Sequence, residues 1–462
     1  PSICPHCAMG CNINLSVRKN DEVIRFLSRD NPEIDNSWLC DRGRFNYEFI
    51  NSPERILSPL IRRGEAFEQV SWSEALQYIA DRAQPIIEES GPDAVVGVAS
   101  PRLSNEDLFA FKRFMTQTIG SGQVDHFPRS TMVLITPAQR AAMRLLDEHL
   151  TSIAALQGAE TIVFVGADPS RRAPVMELRI REAVNKQGAR LVILQSEDSA
   201  LTSKAHQVAH FKDGRLADAI RKLTAALSTE EAPDEEMRQF ADATRGHGPL
   251  VLIYDDTFEG VADKADALEA VASLVQALGP SRPVSILPLL DDCNSMGARD
   301  LEMFPVESEP WTASVVDPLL SGSSLSRVAF ILGANIAAGA DVAVARRLRS
   351  LDLLVVQELM MTETAQLADV ILPAASFAEK EGTLTNLEGR VQMLTSAVPS
   401  PGIARSDWEI LVDLSQYFER PLDYTSPRQI WNDIRASVNK YSGLGYEDIG
   451  PRGVRPASLQ LV

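Results

Sequence analysis

The sequence has few cysteines, few aromatic residues and too few basic side chains to balance its acidic ones. Its 45 Lys and Arg side chains stand against 63 Asp and Glu, so the formal net charge is -18. This charge argues against a nucleic-acid binder that uses a basic face, and against direct docking on an anionic membrane surface. Hydrophobic residues make up 45% of the chain and aromatic residues 6%, which is ordinary for a globular protein. At 462 residues we expect two to four domains.

Long hydrophobic runs are also missing. A membrane-spanning helix needs about 20 apolar residues. The longest uncharged, apolar-rich run, 328–340, is shorter and contains Asn335 and two glycines. No charged segment followed by an apolar one opens the chain, so no signal peptide is predicted. Because the sequence begins with Pro1, we expect it to be part of a longer protein.

Only five cysteines occur, which excludes a disulfide scaffold and favours a reducing compartment. Four of them follow the spacing Cys4-x2-Cys7-x3-Cys11-x28-Cys40. Three closely spaced thiolates and a distant fourth suit a [4Fe–4S] cubane, in which each iron takes one protein sulfur. Gly10, next to the third cysteine, would let the backbone approach the inorganic sulfides. We therefore predict these four cysteines as the ligands of one cluster.

Two alternatives to a cluster remain open from the residues alone. Zinc sites usually pair two C-x2-4-C segments, whereas the fourth cysteine here stands alone. The second alternative is that the four thiols are ordinary buried side chains that bind no metal. His6 lies between two predicted ligands, and we interpret it as an exposed or outer residue. The fifth cysteine, Cys293, is expected to be a free thiol, and the pair His206 and His210 has no evident third metal ligand.

The middle of the chain alternates apolar runs with amphipathic segments. Continuous Val, Ile and Leu runs are typical of parallel strands that are covered on both faces. Strands are predicted at 94–99, 161–166, 190–195, 249–254, 283–288, 327–333 and 352–358. Helices are predicted at 104–118, 173–187, 261–278 and 342–350, and a hairpin at 12–17 and 22–27. Alternation of this kind indicates an α/β fold with parallel sheets and right-handed crossovers.

Four segments carry a resemblance to a known family. The segments "CPHCAMGC" and "LCDRGRFNYEF" resemble the cluster-binding start of the molybdopterin oxidoreductase superfamily. "DRGRF", together with "RILSPLIRRGEAFEQVSWSEAL", is similar to the large iron–sulfur subunit of bacterial NADH–quinone oxidoreductase (respiratory complex I). "TETAQLADVILPAASFAEKEGTLTNLEGRVQ" extends the likeness towards the other end of the chain. The whole resembles the carboxyl-terminal part of that subunit.

The resemblance implies a discontinuous architecture. We expect a cluster domain at 1–55, with part of 373–400 packed on it. One α/β domain is expected over 56–124 and 250–372, and a second, inserted one over 125–249. Helices and a tail are expected at 401–462.

The sequence departs from the catalytic members of the superfamily where they bind molybdenum. The comparable stretch, "DHFPRSTMVL", contains no cysteine, and Thr131 stands at the position of the metal ligand. Met132 stands where a catalytic histidine often follows, while Ser130 remains a weaker alternative ligand. Arg42 replaces the Lys that the family places between cluster and pterin. The resemblance therefore implies a cluster without molybdenum chemistry, and molybdopterin is not expected.

What the resemblance implies for function is an electron-transfer and scaffold subunit with no catalytic residues of its own. Its partners would be the NADH-binding and iron–sulfur subunits of the peripheral arm, at the cytoplasmic side of the plasma membrane. Nucleic acid and direct membrane insertion are not expected. Arg42 and Arg44 would raise the cluster's potential by placing positive charge near it. The alternatives are a molybdenum or tungsten formate dehydrogenase-like catalytic subunit, and a scaffold that no longer carries electrons.

A polar loop near the end of the resemblance is expected to be architectural. Its side chains resemble the family's tight loop after a buried strand, where polar networks commonly hold loops in place. They are Glu379, Glu381, Asn386, Glu388 and Arg390.

Overall fold

The structure is a computed structural model that describes residues 1–128, 136–166, 168–228, 235–256, 258, 261–305 and 314–459. Its strands are β1 Ser2–Ile3, β2 Asn12–Val17, β3 Val23–Ser28, β4 Leu60–Arg63, β5 Ala66–Gln69, β6 Val95–Ala99, β7 Val124–His126, β8 Thr161–Val165, β9 Arg190–Gln195, β10 Gln207–His210, β11 Leu250–Asp255, β12 Val284–Leu289, β13 Val328–Leu332, β14 Leu353–Glu358, β15 Val370–Pro373, β16 Gly382–Thr385 and β17 Val391–Leu394. Its α-helices are α1 Asp41–Phe45, α2 Trp72–Ser90, α3 Asn105–Arg113, α4 Pro137–Glu148, α5 Pro169–Arg172, α6 Pro174–Gln187, α7 Leu216–Ser228, α8 Glu235–Thr244, α9 Lys264–Leu278, α10 Ser295–Asp300, α11 Val316–Ser321, α12 Val342–Arg349, α13 Asp407–Ser415 and α14 Pro427–Ser437.

A small antiparallel sheet of β1, β2 and β3 opens the chain. Ile13, in the central strand, pairs with Ser2 on one side and Ser28 on the other. Ile3, Val23 and Phe26 of this sheet are buried, whereas Val17 is exposed. The predicted hairpin is confirmed and gains a short third strand.

The first large sheet has seven strands in the order β5-β4-β15-β14-β13-β6-β7. Strands β7, β6, β13, β14 and β15 run parallel, and β4 with β5 forms an antiparallel hairpin at one edge. The chain leaves β6 towards β7 on one side, whereas β13 pairs on its other side. The strand order therefore reverses between β6 and β13, and open α/β sheets bind ligands at the carboxyl ends of such a reversal.

The second large sheet has five parallel strands in the order β10-β9-β8-β11-β12. Leu250–Asp255 and Val284–Leu289 belong to it, although the sequence predicts 250–372 as part of the first α/β domain. The boundary expected after residue 249 therefore does not follow the strand pairing. We propose that the second α/β unit extends at least to Leu289.

The predicted helices lie between the predicted strands, as α3, α6, α9 and α12. Helix α3 is shorter than expected, because the backbone widens into a π-type turn at Phe114–Ile119. Helix α2 begins where the side chain of Ser71 accepts a hydrogen bond from the Glu74 N–H, which caps the first turn. The molecule is α/β, with two parallel-sheet units and a small domain at its start.

The hairpin of β16 and β17 joins the small domain to the rest of the chain. Strand β17 contacts β1, and β16 contacts α3. Helices α13 and α14 also pack against α3 and bury Trp408 and Trp431 in the core of the first α/β unit. The hairpin thus lies between the predicted cluster loop and the larger sheets.

No helix within the described ranges is both long enough and apolar enough to cross a lipid bilayer.

Candidate iron–sulfur site and the adjoining cavity

The loop from Cys4 to Cys11 is closed by its own backbone. The Cys4 N–H donates to the Cys11 carbonyl oxygen at 2.9 Å, and the side chains of both residues and of Cys7 are buried. Gly10 has φ +73°, and a Cβ there would lie 2.2 Å from Gln392 Oε1. The loop therefore needs glycine at this position, both for its backbone conformation and for space.

Helix α1 brings the fourth cysteine to this loop. Cys40 caps the helix, and its sulfur accepts a hydrogen bond from the Gly43 N–H at 3.4 Å. A Cβ on Gly43 would lie 3.2 Å from the Cys4 sulfur, so the glycine leaves room for that sulfur beside the helix. Cys40 is the one predicted ligand that is partly exposed.

The thiols lie close enough to affect one another's ionisation. Burial raises the pKa of Cys4 and Cys11 well above the usual thiol range, and negative charge on Cys7 and Cys40 raises it further. None of these cysteines forms a disulfide. Several thiolates in one buried site need a cationic centre to stabilise them, and an iron–sulfur core provides it. This donor set fits a [4Fe–4S] cluster.

The arrangement differs from that of a single-ion site. Within the described parts of the chain, no group of three or more His, Cys, Asp or Glu side chains is placed to hold one metal ion. In a cubane each thiolate bonds a different iron, so its ligands stand farther apart than those of one zinc ion.

The β16–β17 hairpin covers the inner side of the cysteine loop. The Leu387 N–H donates to the Ala8 carbonyl oxygen at 2.8 Å. The side-chain amide of Gln392 donates to the Gly10 carbonyl oxygen at 2.9 Å. Because both bonds hold the loop backbone, the hairpin fixes the shape of the loop that carries three predicted ligands.

The polar loop predicted from the sequence is largely buried. Glu379 pairs with Arg55 through two hydrogen bonds of 2.7 and 2.8 Å. Arg390 donates to Glu388 at 2.5 Å, and the other oxygen of that carboxylate accepts the Ile153 N–H. Asn386 of the same loop donates to the Met9 carbonyl oxygen, whereas Glu381 is exposed.

Two groups lie beside the predicted ligands. His6 is half-buried rather than exposed, and burial lowers its pKa to about 4. Its Nε2 lies 2.8 Å from the Asn46 carbonyl oxygen, so the neutral ring donates there. The guanidinium of Arg42 lies near Cys7, where it opposes the rise that burial causes in the pKa of that thiol. Arg44 is half-buried in α1.

The remaining cysteine lies nearer this site than its sequence position indicates. Cys293 is buried and interacts electrostatically with Cys4 and Cys7. Burial and the neighbouring Asp292 raise its pKa, which keeps the thiol protonated. Cys293 forms no disulfide, and its lack of a ligand role stays a prediction.

A cavity of about 540 Å³ adjoins the cysteine loop at the carboxyl ends of β6, β13, β14 and β15, where the strand order reverses. Its lining includes Pro5 and His6 from the loop, Ser100 and Arg102 after β6, Gly333 to Asn335 after β13, Gln357 to Met360, Ala374 to Phe377, Lys380 and Asp407. No single sequence motif indicates this cavity, because its walls come from eight separate segments.

The charged groups of the cavity are held in place. Lys380 donates to Asp107 and Asp407 at 2.7 Å each, and all three side chains are buried. Arg102 pairs with Asp292 at 2.7 Å. Burial, opposed by the Leu359 N–H and reinforced by Asp407, raises the pKa of Glu358 to about 7. The stretch predicted to replace a molybdenum ligand, from Arg129 to Met132, lies outside the described residues.

Comparison with known proteins separates the small first domain from the rest of the chain. The molybdopterin oxidoreductase family model matches residues 55–417, and the model of that family's Fe4S4 domain matches residues 1–52. The chain is 27% identical to the NADPH-Fe(3+) oxidoreductase subunit alpha of Geobacter sulfurreducens over 96% of this chain and 59% of that protein. It is 28% identical to an NADH-quinone oxidoreductase subunit of Rhizobium meliloti, over 98% of this chain and 58% of that protein.

A further relative is the F420-dependent formate dehydrogenase subunit alpha of Methanocaldococcus jannaschii, 26% identical over 98% of this chain and 75% of that protein. The chain thus spans somewhat over half the length of two of these relatives. Acetylene hydratase from Pelobacter acetylenicus has the same fold, with a TM-score of 0.71 at 17% identity over 97% of this chain and 72% of that chain. The chain belongs to the molybdopterin oxidoreductase family and begins with that family's Fe4S4 domain.

Proposed function

We propose that the chain is an iron–sulfur electron-transfer and scaffold subunit of the peripheral arm of a proton-pumping NADH:quinone oxidoreductase. Cys4, Cys7, Cys11 and Cys40 would ligate its one [4Fe–4S] cluster. The neighbouring subunits that bind NADH and carry further clusters would be its partners, at the cytoplasmic face of the membrane. The relatives named as NADH-quinone and NADPH-Fe(3+) oxidoreductase subunits support this proposal.

The bound cluster would accept and release one electron at a time. Residues of this chain set the conditions for that exchange. Burial of three cysteines keeps water away from the sulfurs, and Arg42 places a positive charge near Cys7 that favours the reduced, more negative state. Cys40 is the most exposed of the predicted ligands.

The proposal includes no molybdenum chemistry, and the charge balance of the cavity beside the cysteine loop supports this part of it. Among the residues that the structure describes, its lining contains two basic side chains, Arg102 and Lys380, and two acidic ones, Glu358 and Asp407. Both basic groups already pair with carboxylates. The dinucleotide arms of two pterins would bring pyrophosphate groups that need uncompensated positive charge. A cavity of about 540 Å³ also suits one drug-sized molecule rather than two dinucleotides.

Metal analysis of iron-loaded protein tests this proposal. We expect about four iron atoms per chain, no stoichiometric molybdenum or tungsten, and an EPR signal of a reduced [4Fe–4S] cluster after treatment with dithionite. Formate- and nitrate-linked dye reduction should be absent. Stoichiometric molybdenum or tungsten with turnover would contradict the proposal.

The second candidate is a molybdenum or tungsten formate dehydrogenase-like catalytic subunit. The position of the cavity favours it, because the cavity lies at the strand reversal and next to the cysteine loop. The sequence identity to the formate dehydrogenase subunit, 26%, is close to the 28% identity to the NADH-quinone oxidoreductase subunit. Formate oxidation by metal-replete protein distinguishes this candidate from the first.

A further inference from the structure

A short segment at 451–455, which we call the strap, crosses the boundary between the small first domain and the β16–β17 hairpin. The Val454 N–H donates to the Val391 carbonyl oxygen and the Val391 N–H to the Val454 carbonyl oxygen, both at 2.9 Å, so the strap lies antiparallel to the start of β17. Gly453 has φ +73°, and a Cβ there would lie 2.6 Å from the Val391 carbonyl oxygen. The strap therefore needs glycine at this point to approach the hairpin.

The small domain holds the strap through side chains that donate to its backbone. The Pro451 carbonyl oxygen accepts from Asn12 Nδ2 at 3.0 Å and from Arg29 Nη1 at 2.6 Å. The Arg452 carbonyl oxygen accepts from Asn31 Nδ2 at 3.2 Å. Asn12 begins β2, and the other two donors follow β3 closely in the chain. The strap thus connects the small sheet to the hairpin.

Asn12 is the point where the strap reaches the neighbourhood of a predicted cluster ligand. It follows Cys11 directly in the chain and is fully buried. Its Oδ1 accepts from Asn31 Nδ2 at 3.0 Å and from Gln392 Nε2 at 3.4 Å. The same side-chain amide of Gln392 donates to the Gly10 carbonyl oxygen. The strap, the hairpin and the cysteine loop therefore share one buried hydrogen-bond network.

The strap has few buried apolar side chains of its own to hold it in place. Of its five residues, all of which the structure describes, Pro451 and Arg452 are exposed and the other three are partly exposed. A cavity of about 480 Å³ lies against the strap and is lined by residues 452–455 together with Glu33, Ser152, Ala154 and Arg390. Segments that are held mainly by exposed backbone hydrogen bonds open locally, at a free energy well below that of global unfolding.

We propose that the strap is a reversible cover of the small domain, which opens while the two large sheets stay folded and so controls access to the cysteine loop. When the strap opens, Asn12 and Asn31 lose their backbone acceptors, and the loop loses one of the contacts that hold its Cys11 end. The predicted cluster would therefore be lost to a chelator faster when the strap opens more often. This consequence rests on the proposed iron–sulfur role, whereas the opening itself does not.

Amide hydrogen exchange followed by mass spectrometry tests the opening on the protein as purified. In the unmodified protein the strap should exchange faster than the small sheet, and the small sheet faster than β8 and β11 of the second large sheet. Gly453→Ala should speed exchange in the strap and in β2 at least about tenfold, because the added methyl group displaces the strap from the Val391 carbonyl oxygen and strains its backbone. Exchange in the second large sheet should not change.

Gly339→Ala is the matched control for backbone strain. Gly339 has φ +64°, and no atom lies within 4 Å of its added Cβ, so the substitution strains the backbone to a similar degree without displacing a neighbour. Exchange in the strap and in β2 should equal that of the unmodified protein.

Arg29→Gln keeps the test decisive if Gly453→Ala does not fold. The shorter amide cannot reach the Pro451 carbonyl oxygen, so the strap loses one anchor while β2 and β3 stay paired through their backbones. Strap exchange should rise about three- to tenfold. Arg25→Gln is its control, because Arg25 lies on β3, is exposed and donates to Ser16 Oγ rather than to the strap.

Loss of the cluster gives the second readout. Visible absorbance of iron-loaded protein in excess EDTA under argon should fall faster in Gly453→Ala and Arg29→Gln, and at the unmodified rate in both controls. Equal strap exchange in all variants, faster exchange throughout both large sheets, or unchanged cluster loss despite faster strap exchange would each overturn the proposal. A protein that binds no iron would contradict the proposed function instead, and strap exchange would still decide whether the cover opens.

Discussion

At the residue scale, Lys380 forms a buried ion-pair network with Asp107 and Asp407. Replacing Lys380 by Met would leave two buried carboxylates without a cation, which typically costs about 3–5 kcal/mol of unfolding free energy. Urea unfolding measures this loss. Lys186→Met is the control, because Lys186 is exposed beside its partner Glu182 and such pairs contribute about 0–1 kcal/mol. Equal losses in the two variants would contradict the assignment.

The cysteines provide the second prediction at this scale. Cys40→Ala should lose the cluster and loosen the first domain, because a metal centre supplies much of the stability of such a small domain. Iron content and circular dichroism of the purified variant report both changes. Cys293→Ala is the matched control, since Cys293 is buried close by but is not a predicted ligand. Full iron content in Cys40→Ala would refute the ligand assignment.

The sequence indicates the cysteine motif but not the ion-pair network of Lys380. The thiols were predictable, because the spacing of four Cys residues is itself the signal. The pairing of Lys380 was not, because Asp107 lies on α3, far away in the sequence, and Asp407 begins α13. The approach of Cys293 to the site depends on tertiary packing in the same way.

At the element scale, the hairpin of β16 and β17 should determine the shape of the cysteine loop. Gly10→Ala would put a methyl group into the side chain of Gln392 and strain a backbone with φ +73°. Gly64→Ala is the control, because its φ is +65° but no atom lies within 4 Å of its added Cβ. The control isolates the backbone strain, about 1–2 kcal/mol. Thermal unfolding should show a larger loss for Gly10→Ala, together with loss of iron. Equal losses would mean that the hairpin does not constrain the loop.

Elements were predictable wherever hydrophobic residues form a continuous run. Seven buried strands of the two large sheets lie where such runs predict them, because parallel strands covered on both faces need continuous apolar sequence. The short strands β4, β5, β7, β10, β15, β16 and β17 have three or four residues each and give no clear period. The strands β11 and β12, which follow the predicted boundary at 249, pair in the second large sheet, because a buried run does not reveal which sheet it joins.

At the scale of the whole molecule, buried carboxyl groups should make stability depend on pH. Burial raises the pKa of Glu106 to about 8 and that of Glu358 to about 7, from ordinary values near 4.5. The folded state therefore keeps protons that the unfolded chain releases, and the unfolding free energy falls as pH rises through this range. His6 acts in the opposite direction, since its lowered pKa makes stability rise with pH, but only up to its unfolded value near 6.5.

A measurement between about pH 6.5 and about pH 8.5 consequently isolates the two glutamates from the histidine. We expect the urea midpoint of the iron-loaded protein to fall steadily across this window, and Glu106→Gln to flatten the upper part of the slope. The amide keeps one oxygen as acceptor for the Thr383 N–H, and its NH2 group can donate to the Thr383 hydroxyl oxygen, so that variant should fold. Glu358→Gln should flatten the lower part, and Glu419→Gln, at an exposed position, should change neither. Visible absorbance followed in parallel distinguishes cluster loss from unfolding. A midpoint that rises with pH, or identical slopes in all variants, would show that these carboxyl groups are ionised in the folded protein at neutral pH.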